Sequence, residues 1–284
     1  MVTGVLSAEA TASSHIVDAL IEERARGLMS RPWLWPLVKT VFYPLLGYRK
    51  AVGVADELAP KDGHGAMEWA SRFLGMTTDV SGVEHVPTSG PAVVVANHPG
   101  GIADGVAVWD ALKARRPDIV YFANRDALRV CAGLSGVVIP IEWRLEERTR
   151  EKTRETLRQT IEAFKAGRCV MVFPAGRMAE WKWGRRGLVE RPWAPTAVSL
   201  ARKFAAPIVP LGVAQRLSLA YYALAQVSEE LKNMTVFHEL LAKQGARYRL
   251  RFAAPLDAST LPGDDADATE TLRARCQELA WDRE

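Results

Sequence analysis

Six short apolar runs punctuate the middle of the chain and decide most of what it can become. They are AVVVA (92–96), IVYFA (119–123), VVIPI (137–141), CVMVF (169–173), PIVPLGV (207–213) and YRLRFAA (248–254). Runs this brief, rich in Val and Ile and scarcely interrupted by polar residues, read as strands buried on both faces. The last carries Arg249 and Arg251 and reads as half-buried. Stretches of helical length lie between them. In residues 149–166, Leu157, Ile161 and Phe164 share one face among alternating charges, and Gly167 supplies a stop. This alternation predicts an α/β fold: a mixed, largely parallel central sheet covered by helices, with an N-terminal helical segment ahead of it.

Texture divides the chain into three parts. Residues 1–78 form an N-terminal helical, membrane-interfacial segment, residues 79–260 the α/β domain, and residues 261–284 an acidic linker and C-terminal helix. The first part contains PWLWPLVKTVFYPLLGY (32–48), whose only charge is Lys39 and which is bracketed by Arg31, Arg49 and Lys50. Pro36 and Pro44 interrupt it, and it is shorter than the roughly twenty residues of a bilayer span. Trp and Tyr with cationic flanks suit an interfacial anchor on anionic lipid; the competing reading is a core helix beneath the main domain. The first thirty residues carry Glu9, Asp18, Glu22 and Glu23 without a continuous apolar stretch, which argues against a signal peptide. The expected location is cytoplasmic, peripheral on the inner face of the cell membrane.

Net charge sharpens the choice of partner. Residues 256–284 hold eight acids and three bases, so the overall +4 leaves +9 on residues 1–255. A basic body suits phosphates, anionic headgroups, an acidic carrier protein or nucleic acid. Cys131, Cys169 and Cys276 lie far apart, which disfavours a disulfide framework or a zinc knuckle. His238-Glu239 opens like a zinc-protease motif, but Ala242 stands where the second histidine belongs. His15, His64 and His85 are isolated and expected in surface or structural roles.

The most informative stretch is AVVVANHPGGIADG, residues 92–105, in which a buried strand runs straight into Asn97-His98-Pro99-Gly100-Gly101 and then Asp104. Pro99 ends the ladder and the two glycines permit a tight turn, so His98 should stand at the strand's carboxyl rim with Asp104 returning beside it. A histidine whose second ring nitrogen meets a carboxylate is a general base. No serine or cysteine accompanies the pair, so direct transfer through His98 is expected, without a covalent enzyme intermediate.

VANHPGGIADG resembles the signature of the glycerolipid, or lysophospholipid, acyltransferases, in which four residues separate histidine from aspartate. Here five, 99–103, do so. The resemblance continues in order over about residues 80–255. Residues 136–142 resemble the second block, with Trp143 in place of its arginine; Phe173-Pro174-Ala175-Gly176-Arg177-Met178 resembles the third, with Ala175 in place of its glutamate; residues 207–211 resemble the fourth. In the family the arginines and that glutamate help hold the acceptor's phosphate and glycerol, a grip that Arg gives and Trp does not.

The resemblance implies an O-acyltransferase that moves a fatty acyl group from an acyl-CoA or acyl-carrier-protein thioester to a lysolipid hydroxyl, with no metal and no further cofactor. His98 would be the base and Asp104 its orienting partner. Asn97, Gly100, Gly101, Arg125, Phe173, Pro174, Gly176, Arg177 and Pro210 would contact substrate, Arg125 restoring a cation lost from the second block. Backbone N–H groups around Gly176, with Arg177, would meet the oxyanion. The acceptor's headgroup stays open between phosphate and others, including an amino-acid-containing lipid. Residues 177–203 carry seven bases and two acids among Trp181, Trp183 and Trp193. That texture suits a membrane, a carrier protein or a nucleotide; no nucleic-acid module surrounds it, so nucleic acid is not an expected partner. A non-catalytic lipid-binding protein on the same fold, or a hydrolase in which His98 activates water on a lipid ester, are the alternatives.

Overall fold

The computed structural model describes residues 15–142, 144–182, 184 and 187–281. Five helices lead in: α1 (Ile16–Arg24), α2 (Arg26–Met29), α3 (Leu34–Leu45), α4 (Tyr48–Leu58) and α5 (Gly63–Leu74). The chain then alternates through β1 (Thr77–Ser81), β2 (Ala92–Ala96), α6 (Ile102–Leu112), β3 (Val120–Asn124), α7 (Asp126–Val130), β4 (Val138–Ile141), α8 (Arg150–Lys165) and β5 (Cys169–Val172). A hairpin, β6 (Glu180–Lys182) with β7 (Gly187–Val189), precedes α9 (Thr196–Phe204) and β8 (Ile208–Ala214). Three short helices follow, α10 (Leu219–Val227), α11 (Glu229–Met234) and α12 (Val236–Leu241), then β9 (Arg247–Phe252) and α13 (Asp265–Trp281).

Seven strands form one sheet in the order β1-β9-β8-β2-β5-β3-β4. All neighbours are parallel except β8 and β9. The carboxyl ends of β8, β2, β5, β3 and β4 therefore share one rim, which β9 enters by its amino end. The strands are held by burial on both faces. Val94 and Ala96 pack with Ala103, Ala107 and Leu112 of α6, while Val93 and Val95 pack with Phe164 of α8 and Val198 of α9. Each fully buried valine contributes on the order of 1.5–3 kcal/mol of transfer free energy. β9 alternates exposed or half-buried arginines with buried Tyr248, Leu250 and Phe252, as its charged sequence requires.

The helices of the N-terminal segment pack on the body. Val17, Ile21, Ala25, Val38, Ala51 and Ala55 join Met234 of α11 in a separate apolar cluster. Neither proline breaks α3: Pro36 lies in its first turn, where a missing N–H costs nothing, and Pro44 lies in its last. The core-helix and surface readings of this segment meet in one element. Val38 is buried, whereas Trp33, Leu37, Val41 and Leu45 are 74%, 57%, 45% and 70% exposed. Four-residue spacing sets these four side chains on one face. No helix among the described residues is long and apolar enough to cross a membrane.

Candidate active site

β2 ends at Ala96, and Asn97 fastens that end to its neighbour. Its side-chain Nδ2 donates to the Val213 carbonyl at 2.8 Å and its Oδ1 accepts from the Val213 N–H at 2.8 Å, so a side chain extends the β2–β8 ladder by one step. Asn97 is 3% exposed with both polar atoms spent in this way, which makes it a strand clamp. The next residue is thereby fixed at the rim. The His98 backbone N–H donates to Glu190 Oε1 at 2.6 Å, and the His98 carbonyl accepts from the Ala179 N–H at 3.0 Å. The first and third blocks are thus sewn together at His98.

Gly101 takes φ 78°, a left-handed conformation open to glycine, and α6 starts immediately after it. This tight turn returns Asp104, on the first turn of α6, to the histidine despite the five-residue interval. His98 Nδ1 lies 2.9 Å from Asp104 Oδ2, and the same oxygen accepts from the Gly100 N–H at 2.9 Å. Asp104 is fully buried, whereas the His98 side chain keeps 18% of its surface open. Phe173, following β5, stacks on the imidazole with ring centroids 4.3 Å apart. A carboxylate on Nδ1 fixes the proton there and leaves Nε2 as the basic nitrogen.

The remaining expected residues divide into those near the dyad and those elsewhere. Pro174 is buried, and its carbonyl accepts from the Ala194 N–H at 3.0 Å. The Gly176 N–H donates to the Phe173 carbonyl at 3.0 Å, so that amide closes a turn and is not a spare oxyanion donor. Arg177 donates to Glu229 Oε1 at 3.2 Å. Pro210 pairs with Val95 inside the sheet and lies below the rim, away from the imidazole. Trp181 and Leu188 of the hairpin, with Gly187, Arg216 and Trp281, line a cleft of about 260 Å³. Trp143, Trp183, Arg185 and Arg186 lie outside the described residues.

Arg125 follows β3 at the same rim. Its Nη1 donates to Glu155 at 2.9 Å, while Nε and Nη2 are buried without hydrogen-bond partners. Local sequence holds no hint of what surrounds the second block. Arg144, 7% exposed, meets Glu23 at 2.6 Å, Glu147 at 3.2 Å, Asp126 at 3.3 Å and Glu142 at 3.4 Å. Arg24 pairs with Asp126 at 2.7 Å, and Arg129 with Glu23 at 2.7 Å. Arg129 above all, with Arg144 behind it, holds the Glu23 carboxyl down at about 2, well below the usual range, against the opposing pull of burial.

Glu190 is the other residue missed by sequence reasoning. It is 7% exposed, and its second oxygen accepts from the Trp193 indole at 3.0 Å. Burial pushes its carboxyl up, with the His98 and Trp193 N–H groups pulling the other way. A lone glutamate 92 residues from its partner carries no local signal. His238-Glu239 of α12 proves structural: both Glu239 oxygens accept from Ser218. Among the described residues no group of three or more His, Cys, Asp or Glu side chains is placed to hold a metal ion.

Residues 77–214 match the family model described as Acyltransferase. The lyso-glycine lipid O-acyltransferase of Phocaeicola vulgatus is 26% identical over 212 residues, 72% of this chain and 71% of that protein. A protein of the same description from Bacteroides thetaiotaomicron is 26% identical over 178 residues, 62% of each. Among solved structures, the 1-acyl-sn-glycerophosphate acyltransferase PlsC of Thermotoga maritima aligns with a TM-score of 0.48 and 15% identity, covering 93% of this chain and 100% of that one. The family match over residues 77–214 and these curated relatives support an O-acyltransferase of the glycerolipid acyltransferase superfamily.

Proposed function

We propose that the chain transfers a fatty acyl group from an acyl-CoA or acyl-carrier-protein thioester to a lysolipid hydroxyl, with His98 as general base oriented by Asp104. The observation that carries this reading is the 2.9 Å contact between Nδ1 of a rim histidine and a fully buried carboxylate. Nε2 takes the acceptor's proton as its oxygen attacks the thioester carbonyl. The tetrahedral intermediate then collapses, the C–S bond breaks, and the imidazolium returns the proton to the leaving thiolate. Asp104 stays ionised throughout and stabilises the imidazolium. No metal or redox group takes part in these steps.

The acceptor is a lysolipid without a phosphomonoester, and the surroundings of Arg144 support that choice. Four carboxylates occupy this guanidinium, so its donors are spent on the protein's own side chains and are not open to a phosphate. Arg125 offers the alternative cation at the rim. Its two unsatisfied donors, Nε and Nη2, form the side-on fork that a single carboxylate engages. The curated relatives named for lyso-glycine lipid fit an acidic, phosphate-free headgroup of this kind. Incubating the purified protein with acyl-CoA or acyl-carrier protein and a panel of lysolipids tests both halves. Turnover of an amino-acid-headed lysolipid above lysophosphatidic acid is expected; the reverse ranking removes the headgroup assignment, and no transfer from either thioester removes the reaction.

The exposed apolar face of α3, with Arg31 and Arg49 exposed at its two ends, is the surface through which the enzyme meets an anionic bilayer. Leu37→Glu with Leu45→Glu is expected to weaken sedimentation with phosphatidylglycerol vesicles at least about tenfold, since each leucine contributes on the order of 1.5–3 kcal/mol when buried. Unchanged sedimentation would discard this face. Point substitutions serve better than removal of the segment, which would also strip Glu23 and Arg24 from their buried partners.

A further inference from the structure

Two polar groups beside the dyad lack partners. Asp104 Oδ1 and the Tyr248 hydroxyl are both buried and make no hydrogen bond. They converge on one point. A Cβ built on Gly100 would stand 2.2 Å from Asp104 Oδ1 and 2.5 Å from the Tyr248 hydroxyl oxygen. A carboxylate oxygen, which only accepts, therefore faces a phenol, which can donate, across the space that glycine leaves empty. Burial first, and the charge of Asp104 second, push the Tyr248 phenol far up, so it keeps the proton that it can donate to a carboxylate oxygen. Tyr248 reaches this place because β9 enters the rim by its amino end, with its ring in the main core beside Val213 and Leu250.

We infer that Tyr248 is a positioning residue for the transfer reaction: its O–H closes onto Asp104 Oδ1, holding the carboxylate so that Oδ2 stays aimed at His98 Nδ1. This rests on the general-base reading of His98 given above. A carboxylate bound through one oxygen still turns about its Cβ–Cγ bond; one bound through both does not. The arrangement also gives Gly100, the first of the block's two adjacent glycines, a reason. Any side chain at residue 100 would wedge between the two groups.

Other ionisable groups face Asp104 and set the background. They are His98 itself, Glu190 from the loop after β7, Tyr222 of α10 and Lys243 after α12. Burial lowers the Lys243 ammonium, with Glu239 and Asp104 acting against it, and its Nζ donates to the Arg216 carbonyl. None of these supplies a hydrogen bond to Oδ1.

Tyr248→Phe tests the inference, because it removes one O–H and keeps the ring packed. Turnover should fall about tenfold, the scale of a hydrogen bond to a charged group, with the KM for acceptor unchanged. Without the phenol, more of the carboxylate's charge falls on Oδ2, the imidazolium is held harder, and the acid limb of the kcat/KM profile moves to higher pH. A packing role would alter thermal stability without moving that limb. A kcat within twofold of wild type, or an unmoved limb, overturns the inference. His98→Ala run alongside separates the failures: an inactive His98→Ala beside a normal Tyr248→Phe sinks the positioning role alone, whereas an active His98→Ala sinks both.

Discussion

Replacing His98 with alanine is expected to lower thioester-dependent acylation by about 10²- to 10⁴-fold, the range a positioned general base contributes. The fold should survive. The imidazole is held at the rim by Asp104 and by stacking on Phe173, while the links that anchor this residue run through its backbone to Glu190 and Ala179. Alanine keeps all of those. Thermal melting should therefore stay near wild type while label transfer to lysolipid vanishes. A variant that retains wild-type turnover would take His98 out of the chemistry and return the fold to a lipid-binding role.

The largest expected loss of stability follows Arg144→Ala. Removing this guanidinium leaves Glu23, Asp126, Glu142 and Glu147 facing one another with part of their compensation gone. Breaking a buried ion network from one side costs on the order of 3–5 kcal/mol. Urea unfolding measures the total, and protease cutting within α1 reports whether the N-terminal helices have come loose. Acid should mimic the substitution. Glu23 is depressed in the folded protein to about 2 from an ordinary 4.5, so its contribution is full above the ordinary value and fades as pH falls towards 2. Cutting of α1 should rise across that window. Equal urea midpoints for variant and wild type would show the network to be energetically idle.

Much of this architecture was legible, and for stated reasons. Strands buried on both faces have to be apolar runs, so β2, β3, β4, β5 and β8 announced themselves. β9 was read as half-buried from its arginines and is so. The helix before Gly167 ends at its stop, but of its expected apolar face only Phe164 is buried: Ile161 is half-buried and Leu157 is 50% exposed, the buried face being completed by Thr160 and Ala163. β1 escaped because Thr77–Ser81 alternates exposed and half-buried residues at an edge and contains no apolar run. The three helices between β8 and β9 are too short for periodicity to speak.

The dyad was visible because its members lie six residues apart, His98 in the turn after β2 and Asp104 on the first turn of α6. Its supports were not, because Glu190, Ala179 and Tyr248 arrive from other elements and look ordinary where they stand. The second block misled in a different way. An arginine is missing at position 143, while Arg144, one place on, is buried among acids. Charge bookkeeping along a sequence does not reveal which carboxylates the fold will gather around a cation.

β9 lies between β8 and β1, and the β1 pairing joins Asp79 to Arg251 across 172 residues. Contacts that far apart in sequence form late, since the intervening chain loses its freedom before the pairing returns anything. The β2–α6 unit, which holds histidine and aspartate together, is local and can assemble early. During refolding, then, recovery of helical signal should run ahead of recovery of turnover, the lag being the time the two arms of the chain take to meet.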